Sequence, residues 1–240
     1  MTSSGREAPS VLVFDVNETL IDIQALAPLF EELFGDSRAL REWFNQLVLY
    51  SMAVSQTDYY VDFTTLGQGV VRMLADVYRV EVTDEDVSRI IAQMRNMPAH
   101  PDAVEALTHL RDNGFRLATL TNSPPPSDGP TPLESAGLAE LFECQLSVDA
   151  CRTFKPAPAV YHYACRELGV TPADCMMVAS HVWDLLGAHR VGLGSALVTR
   201  PGNAPLPADG LPQPDLVVGD LNELARLLAK GTAEDRPRRE

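Results

Sequence analysis

Short apolar strands alternate with amphipathic helices from residue 100 to residue 228 of the chain. Strands are predicted at 116–121, 144–148, 175–180, 195–199 and 215–218. Helices are predicted before, between and after them, at 100–113, 134–142, 157–169, 183–191 and 221–228. Strands that are joined through helices run parallel, and their right-handed crossovers place helices on both faces of the sheet. The pattern therefore predicts an α/β fold with a Rossmann-like, doubly wound parallel sheet.

One more strand, at residues 11–14, is separated from the others by a long segment of a different character. Apolar residues at helical spacing fill residues 22–98, and Met97-Pro98 closes this segment. We therefore predict a Rossmann-like core domain from residues 10–21 and 99–230, with residues 22–98 inserted as a helical cap domain. Residues 1–9 and 231–240 are polar and are predicted to be flexible tails.

Charge and hydropathy exclude several classes of partner. Acidic residues outnumber basic ones by 33 to 19, and the net charge of −14 disfavours binding to a phosphate backbone. No apolar stretch approaches the roughly 18 residues that a membrane-spanning helix needs, and the first ten residues lack the apolar centre of a signal peptide. We expect a cytoplasmic protein with no nucleic-acid or membrane partner.

Polar side chains follow four of the predicted strands at the point where each strand ends. These are Asp15, Asn17 and Thr19, then Thr121 and Asn122, then Lys155, and finally Ser180, His181 and Asp184. Because the carboxyl ends of parallel strands form one edge of a sheet, we expect these side chains to share a crevice. An aspartate at a strand tip can act as a nucleophile and form an ester. A lysine nearby would favour its ionised form, and Asp184 would hold that lysine in place.

Four segments resemble, in order, the four motifs of the haloacid dehalogenase superfamily: residues 14–20 (FDVNETL), 120–122 (LTN), 154–156 (FKP) and 179–184 (ASHVWD). Within it, the spacings from Lys155 to Tyr161 and from Ser180 to Asp184 are most similar to those of the type II L-2-haloacid dehalogenases. This resemblance implies a helical cap over the active site, a small halocarboxylate substrate and a homodimer.

The resemblance also implies a reaction and the residues that perform it. Asp15 would displace halide from a short 2-haloalkanoic acid by rear attack, and water would then hydrolyse the Asp15 ester to a 2-hydroxy acid. The predicted catalytic residues are Asp15, Thr19, Lys155 and Asp184. The predicted substrate-binding residues are Asn17, Phe44, Thr121, Asn122, Tyr161, Ser180 and His181.

Two alternatives stay open, a magnesium-dependent phosphatase of the same superfamily and a non-catalytic binding protein on this scaffold. The phosphatases carry a general acid where this chain has Asn17 and an acidic metal ligand where it has Ser180. An amide cannot protonate a leaving alcohol, and magnesium is held through carboxylates. Loss of both groups suits the release of halide, so we predict an enzyme without a metal or other cofactor.

The chain departs from the type II pattern on the cap. Those enzymes place an arginine, assigned to the halide, directly after an aromatic residue, whereas here Phe44 follows Trp43. A phenyl ring cannot replace a guanidinium, but Arg38 or Arg41 could reach in from a neighbouring turn. Further departures are Asn17, Glu18, Ala179 and His181, where the family has an aromatic residue, Gly, Ser and Asn.

Overall fold

A computed structural model describes residues 9–234 of the chain. In this part of the chain, six parallel strands form one sheet in the order β3-β2-β1-β4-β5-β6. The strands are β1 (Val11–Phe14), β2 (Arg116–Thr121), β3 (Cys144–Ser147), β4 (Cys175–Ala179), β5 (Gly194–Val198) and β6 (Leu216–Val218). The strand order confirms the predicted Rossmann-like, doubly wound fold.

Strand β1 lies in the middle of the sheet, where the strand order reverses. It pairs with β2 on one side and β4 on the other, so that Val13 lies opposite both Ala118 and Met177. All four β1 residues are buried, as expected of an apolar strand in a sheet covered on both faces. A crevice opens at the carboxyl ends of the strands beside such a reversal, and Asp15 directly follows β1.

Helices cover the sheet and also form the inserted segment. Those of the insert are α1 (Ala27–Phe34), α2 (Ala39–Gln56), α3 (Phe63–Tyr78) and α4 (Asp84–Met94); those that follow are α5 (Ala103–Asp112), α6 (Pro132–Ser135), α7 (Pro158–Leu168), α8 (Val182–Val191) and α9 (Leu221–Glu234). None of the helices in residues 9–234 is both long enough and apolar enough to cross a membrane.

The two ends of the helical insert leave and rejoin the core side by side. Ile21 forms an antiparallel bridge with Ala99, and the Asp22 amide donates to the Pro98 carbonyl at 2.8 Å. Helices α2 and α3 pack closely inside the insert, where the Trp43 indole donates to the Gly67 carbonyl at 3.0 Å. The insert therefore has its own packed interior and joins the core through two adjacent chain crossings.

The structure corrects two predicted elements. The helix predicted at 134–142 is wrong, because α6 ends at Ser135 and Gly137 adopts a left-handed φ of 72°, a conformation that commonly ends helices. Helix α9 continues to Glu234, so it extends four residues into the segment predicted as a tail. Residues 1–8 and 235–240 of the predicted tails lie outside the described residues.

Candidate active site

The Asp15 carboxylate is fixed at the tip of β1 by donors to both of its oxygens. Lys155 Nζ donates to Asp15 Oδ1 at 2.7 Å, and Thr19 Oγ1 donates to Oδ2 at 2.9 Å. Thr19 Oγ1 in turn accepts from the backbone N–H of Ser180 at 2.9 Å. The Asp15 side chain is 7 % exposed, so it is nearly desolvated yet still reachable. These features suit a nucleophile that must stay ionised and point in one direction.

Lys155 is the buried cation of the site. Its ammonium donates to Asp15 at 2.7 Å, to Asp184 Oδ2 at 2.6 Å and to the Leu120 carbonyl at 2.9 Å, which uses all three of its N–H groups. Burial alone would lower the pKa of Lys155, but the two carboxylates outweigh it and raise that pKa above its ordinary value. Lys155 is therefore charged at neutral pH and balances one of the two carboxylates.

Asp184 lies in the first turn of α8 and is fully buried. Its burial raises its pKa, Lys155 opposes that rise, and the charge of Asp15 adds to it. The Tyr161 hydroxyl donates to Asp184 Oδ1 at 2.6 Å and lies 2.9 Å from its backbone carbonyl. Gly187 leaves room for this contact, because a Cβ there would lie 2.6 Å from the Tyr161 hydroxyl. Tyr161 thus fixes the carboxylate that holds Lys155.

Tyr161→Phe is expected to lower the free energy of unfolding by about 1–3 kcal/mol, because it removes a donor from a buried carboxylate. The reaction rate should fall about tenfold, since Asp184 would hold Lys155 less firmly. Urea denaturation and halide release measure the two effects. Tyr163→Phe is the matched control on the same helix, because Tyr163 is only half-buried. Equal effects of the two variants would contradict the role given to Tyr161.

A small pocket opens in front of Asp15, with a volume of about 10 Å³. Core and cap both contribute to its lining, which consists of Asp15, Asn17, Phe44, Val48, Phe63, Asn122, His181 and Trp183. Four of the predicted substrate-binding residues, Asn17, Phe44, Asn122 and His181, are in this lining. Phe44 and Val48 belong to α2, so the cap closes directly over the nucleophile.

Three predicted substrate-binding residues, Thr121, Tyr161 and Ser180, do not line this pocket. Thr121 faces a neighbouring cavity of about 110 Å³, because successive residues along an extended chain point to opposite sides and Asn122 takes the side of Asp15. Tyr161 contacts Asp184, and the Ser180 hydroxyl donates to the Glu18 carbonyl at 3.2 Å. Tyr161 and Ser180 thus contact residues that hold the site, whereas the Thr121 hydroxyl accepts from the Ser123 amide. Their contact with substrate stays a prediction.

A buried carboxylate that the sequence analysis did not assign to the site, Glu18, lies beside the pocket. It accepts from Arg41 at 2.9 Å and lies 3.0 Å from His181 Nε2. Its backbone has a left-handed φ of 64°, which costs a non-glycine residue on the order of 1 kcal/mol. The signal in the sequence was a glutamate directly after Asn17, at a position where the resembling family has glycine.

Neither arginine considered for the halide reaches the pocket. Arg41 pairs with Glu18, and Arg38 is exposed and pairs with Asp36 at 2.6 Å. Among the described residues, the lining of the pocket in front of Asp15 contains no arginine or lysine, and Phe44 and Val48 are the residues that α2 contributes to it.

A family model described as haloacid dehalogenase-like hydrolase matches residues 9–192. Because the match covers most of the chain and agrees with the fold and the arrangement of Asp15, Lys155 and Asp184, the protein belongs to this family of hydrolases. The resemblance drawn from the four sequence motifs is confirmed.

Similarity extends to individual dehalogenases over nearly the whole chain. The chain is 30 % identical to (S)-2-haloacid dehalogenase 4A of Burkholderia cepacia over 226 residues, which cover 92 % of this chain and 96 % of the relative. It is 28 % identical to (S)-2-haloacid dehalogenase 1 of Pseudomonas sp. (strain CBS-3), with the same coverage. The structure of L-2-haloacid dehalogenase from Xanthobacter autotrophicus with chloropropionic acid covalently bound matches with a TM-score of 0.81 and 26 % identity, covering 92 % and 98 % of the two chains.

Proposed function

We propose that this protein hydrolyses short 2-haloalkanoic acids to 2-hydroxy acids through an ester on Asp15, without a metal or other cofactor. The observation that carries the proposal is the Asp15 carboxylate, which faces a small pocket while Lys155 and Thr19 hold its two oxygens. The similarity to (S)-2-haloacid dehalogenases over 92 % of the chain supports the same reaction.

The first chemical step is a displacement at carbon. One Asp15 oxygen attacks the carbon that bears the halogen, the C–O bond forms, and the halide leaves with the bonding electron pair. Lys155 places its positive charge beside one Asp15 oxygen, and Thr19 donates a hydrogen bond to the other. Water then attacks the carboxyl carbon of Asp15, so that the ester breaks on the protein side. Because the substrate carbon reacts once, by rear attack, its configuration is inverted.

The pocket wall suits a small substrate with an apolar end. Phe44, Val48, Phe63 and Trp183 offer apolar surface to the halogen and the alkyl group, whereas the Asn122 amide is a polar group at the same pocket. A volume of about 10 Å³ has room for roughly one water molecule. The pocket must therefore widen to admit a haloacid.

The residues at the two positions that distinguish phosphatases from dehalogenases argue against the phosphatase alternative. Asn17 lines the pocket and cannot protonate a leaving alcohol, and the Ser180 hydroxyl donates to Glu18 at a position where the phosphatases have a metal-binding acid. The binding-protein alternative leaves the cluster of Asp15, Lys155 and Asp184 unexplained, because burying three charged groups is costly unless they have a use.

Halide release tests the proposal. Chloro-, bromo- and fluoroacetate and both enantiomers of 2-chloropropionate are assayed with EDTA present, alongside p-nitrophenyl phosphate with added Mg²⁺. We expect halide release that persists in EDTA and inversion of the 2-chloropropionate enantiomer that reacts. A folded protein that releases no halide from any of these acids, or that releases phosphate only with Mg²⁺, would overturn the proposal.

The homodimer and the cytoplasmic location expected from the sequence stay predictions. Sedimentation equilibrium of the purified chain tests the first of them.

A further inference from the structure

His181 is held rigidly at the mouth of the active site. It directly precedes α8, is 8 % exposed, and lies in the pocket lining with Asp15. The Trp183 ring stacks on it with centroids 5.1 Å apart and 18° between the planes, and the Phe44 ring lies 5.7 Å away at 30°. Two aromatic neighbours thus fix the plane of the imidazole. A residue that presents one nitrogen to a reacting group needs such a fixed orientation.

Glu18 faces one nitrogen of this imidazole. Its carboxylate lies 3.0 Å from His181 Nε2, a nitrogen that is itself buried and not aligned for a hydrogen bond in this closed arrangement. Burial of Glu18 would raise its pKa, but His181 and Arg41 hold that pKa below its ordinary value. Glu18 is therefore a carboxylate at neutral pH, and its charge favours a proton on Nε2 of the ring.

The backbone at Glu18 indicates that this carboxylate is placed for a purpose other than stability. A left-handed φ of 64° is costly for any residue except glycine, and such strain persists where the surroundings impose it. Arg41 of α2 reaches across from the cap and pairs with Glu18, while the Glu18 amide donates to the Ile21 carbonyl at 2.9 Å. The loop, the cap and His181 thus all fix this one side chain.

We propose that His181, oriented by Glu18, is the base that activates the water which hydrolyses the Asp15 ester; this rests on the proposed function. With a proton on Nε2, the lone pair of Nδ1 is left to accept a proton from water. Among the described residues that line the pocket, two have titratable side chains, Asp15 and His181. Asp184 does not line the pocket, and both of its carboxylate oxygens already accept hydrogen bonds, from Lys155 and Tyr161.

The proposed step conserves every atom and proton. His181 Nδ1 accepts one proton of the water as its oxygen bonds to the carboxyl carbon of Asp15. The bond between that carbon and the ester oxygen then breaks, and the 2-hydroxy acid leaves with the oxygen that Asp15 supplied. His181 returns its proton to this alkoxide. The second proton of the water leaves from the new Asp15 carboxyl group to solvent, which restores the carboxylate.

Single-turnover kinetics test the assignment by separating the two chemical steps. Excess enzyme is mixed with (S)-2-chloropropionate and quenched, and we measure both chloride and the mass of the Asp15 peptide. In His181→Asn, chloride should appear at close to the wild-type rate, but the ester should persist and turnover should fall by about 10²- to 10⁴-fold, the usual effect of losing a general base. Glu18→Gln should show the same separation with a smaller loss.

His189→Asn is the matched control, because His189 is an exposed histidine on the same helix, and it should behave as the wild type does. Slowed chloride release in His181→Asn, with no ester on Asp15, would overturn the proposal, because His181 would then act on the displacement. Should His181→Asn fail to fold, Glu18→Gln alone decides between the same two results. Absence of chloride release in the wild type would instead overturn the proposed function.

Discussion

Asp15→Asn is expected to lower halide release by about 10⁴-fold or more while the protein stays folded, the scale of effect that follows loss of an enzyme nucleophile. An amide oxygen carries no full charge and is a poor nucleophile for displacement at carbon. The change keeps the size of the side chain, and an amide oxygen can still accept from Lys155, which lies 2.7 Å from Asp15 Oδ1. The effect should therefore fall on the chemical step.

Halide release and thermal unfolding of the same preparations check this expectation. Asp209→Asn is the matched control, because Asp209 is an exposed aspartate in the loop between β5 and β6, and its variant should keep the wild-type rate. An Asp15→Asn enzyme that keeps more than about a tenth of the wild-type rate would show that Asp15 is not the nucleophile.

Lys155→Met is expected to reduce the free energy of unfolding by about 3–5 kcal/mol and to abolish halide release. The ammonium lies between two buried carboxylates, 2.7 Å from Asp15 and 2.6 Å from Asp184. Its removal leaves both buried carboxylates without a cation. Loss of one partner of a buried ion pair strongly destabilises the folded protein. Methionine keeps much of the length of the side chain. The loss of stability therefore comes mainly from the missing charge and not from a cavity.

The pH dependence of this loss has a defined sign. The folded-state pKa of Lys155 is raised, so its contribution to stability is fully present below the unfolded pKa of about 10.4 and is lost as the pH rises through the folded value. Burial raises the pKa of Asp184, so at acidic pH its protonation relieves the variant and takes one charged partner from the ammonium of the wild type. The stability difference should therefore be largest near neutral pH and shrink at both extremes.

Urea denaturation across this pH range measures the difference. The chain has one other lysine, Lys230, which is exposed, so Lys230→Met controls for the loss of a positive charge and should change stability by less than about 0.5 kcal/mol. A difference that does not vary with pH would contradict the charged cluster of Asp15, Lys155 and Asp184.

The sheet could be predicted from the sequence because its signals are local. Most of the apolar strands end beside a polar residue, and the helices between most consecutive strands fix their parallel direction. Asp15, Lys155 and Asp184 could be placed together for the same reason, since each follows a strand or begins the next helix. The helix predicted at 134–142 failed because its apolar spacing continues across Gly137, where the backbone turns.

The cluster around Glu18 could not be predicted, because its members meet only through tertiary packing. Residues 18, 41 and 181 come from the β1 loop, the cap and the end of β4, and no local pattern links them. The sequence showed Phe44, Glu18 and His181 as separate departures from the family. In the structure, the Phe44 ring packs on His181 and Glu18 faces the same ring. The three departures therefore form one contiguous rearrangement beside the nucleophile.

The displacement of Thr121 from the pocket has a similar origin. Sequence order shows that Thr121 and Asn122 follow a strand, but the side that each faces depends on the register of β2 beside β1 and β3. In the structure, the Asn122 side chain accepts from the Lys155 amide at 3.1 Å, whereas the Thr121 hydroxyl accepts from the Ser123 amide. Pairing register, rather than residue type, decided which of the two reached the site.

A single turnover in water enriched in ¹⁸O tests the central claim, which is that Asp15 carries the substrate as an ester. Enzyme in excess over (S)-2-chloropropionate is allowed to complete one turnover, and both the Asp15 peptide and the lactate are analysed by mass spectrometry. Because water attacks the carboxyl carbon of Asp15, the label should appear in the Asp15 carboxylate, and the lactate should carry the unlabelled oxygen of the protein. Label in the lactate and none in Asp15 would show that water displaces the halide directly, and would contradict the account.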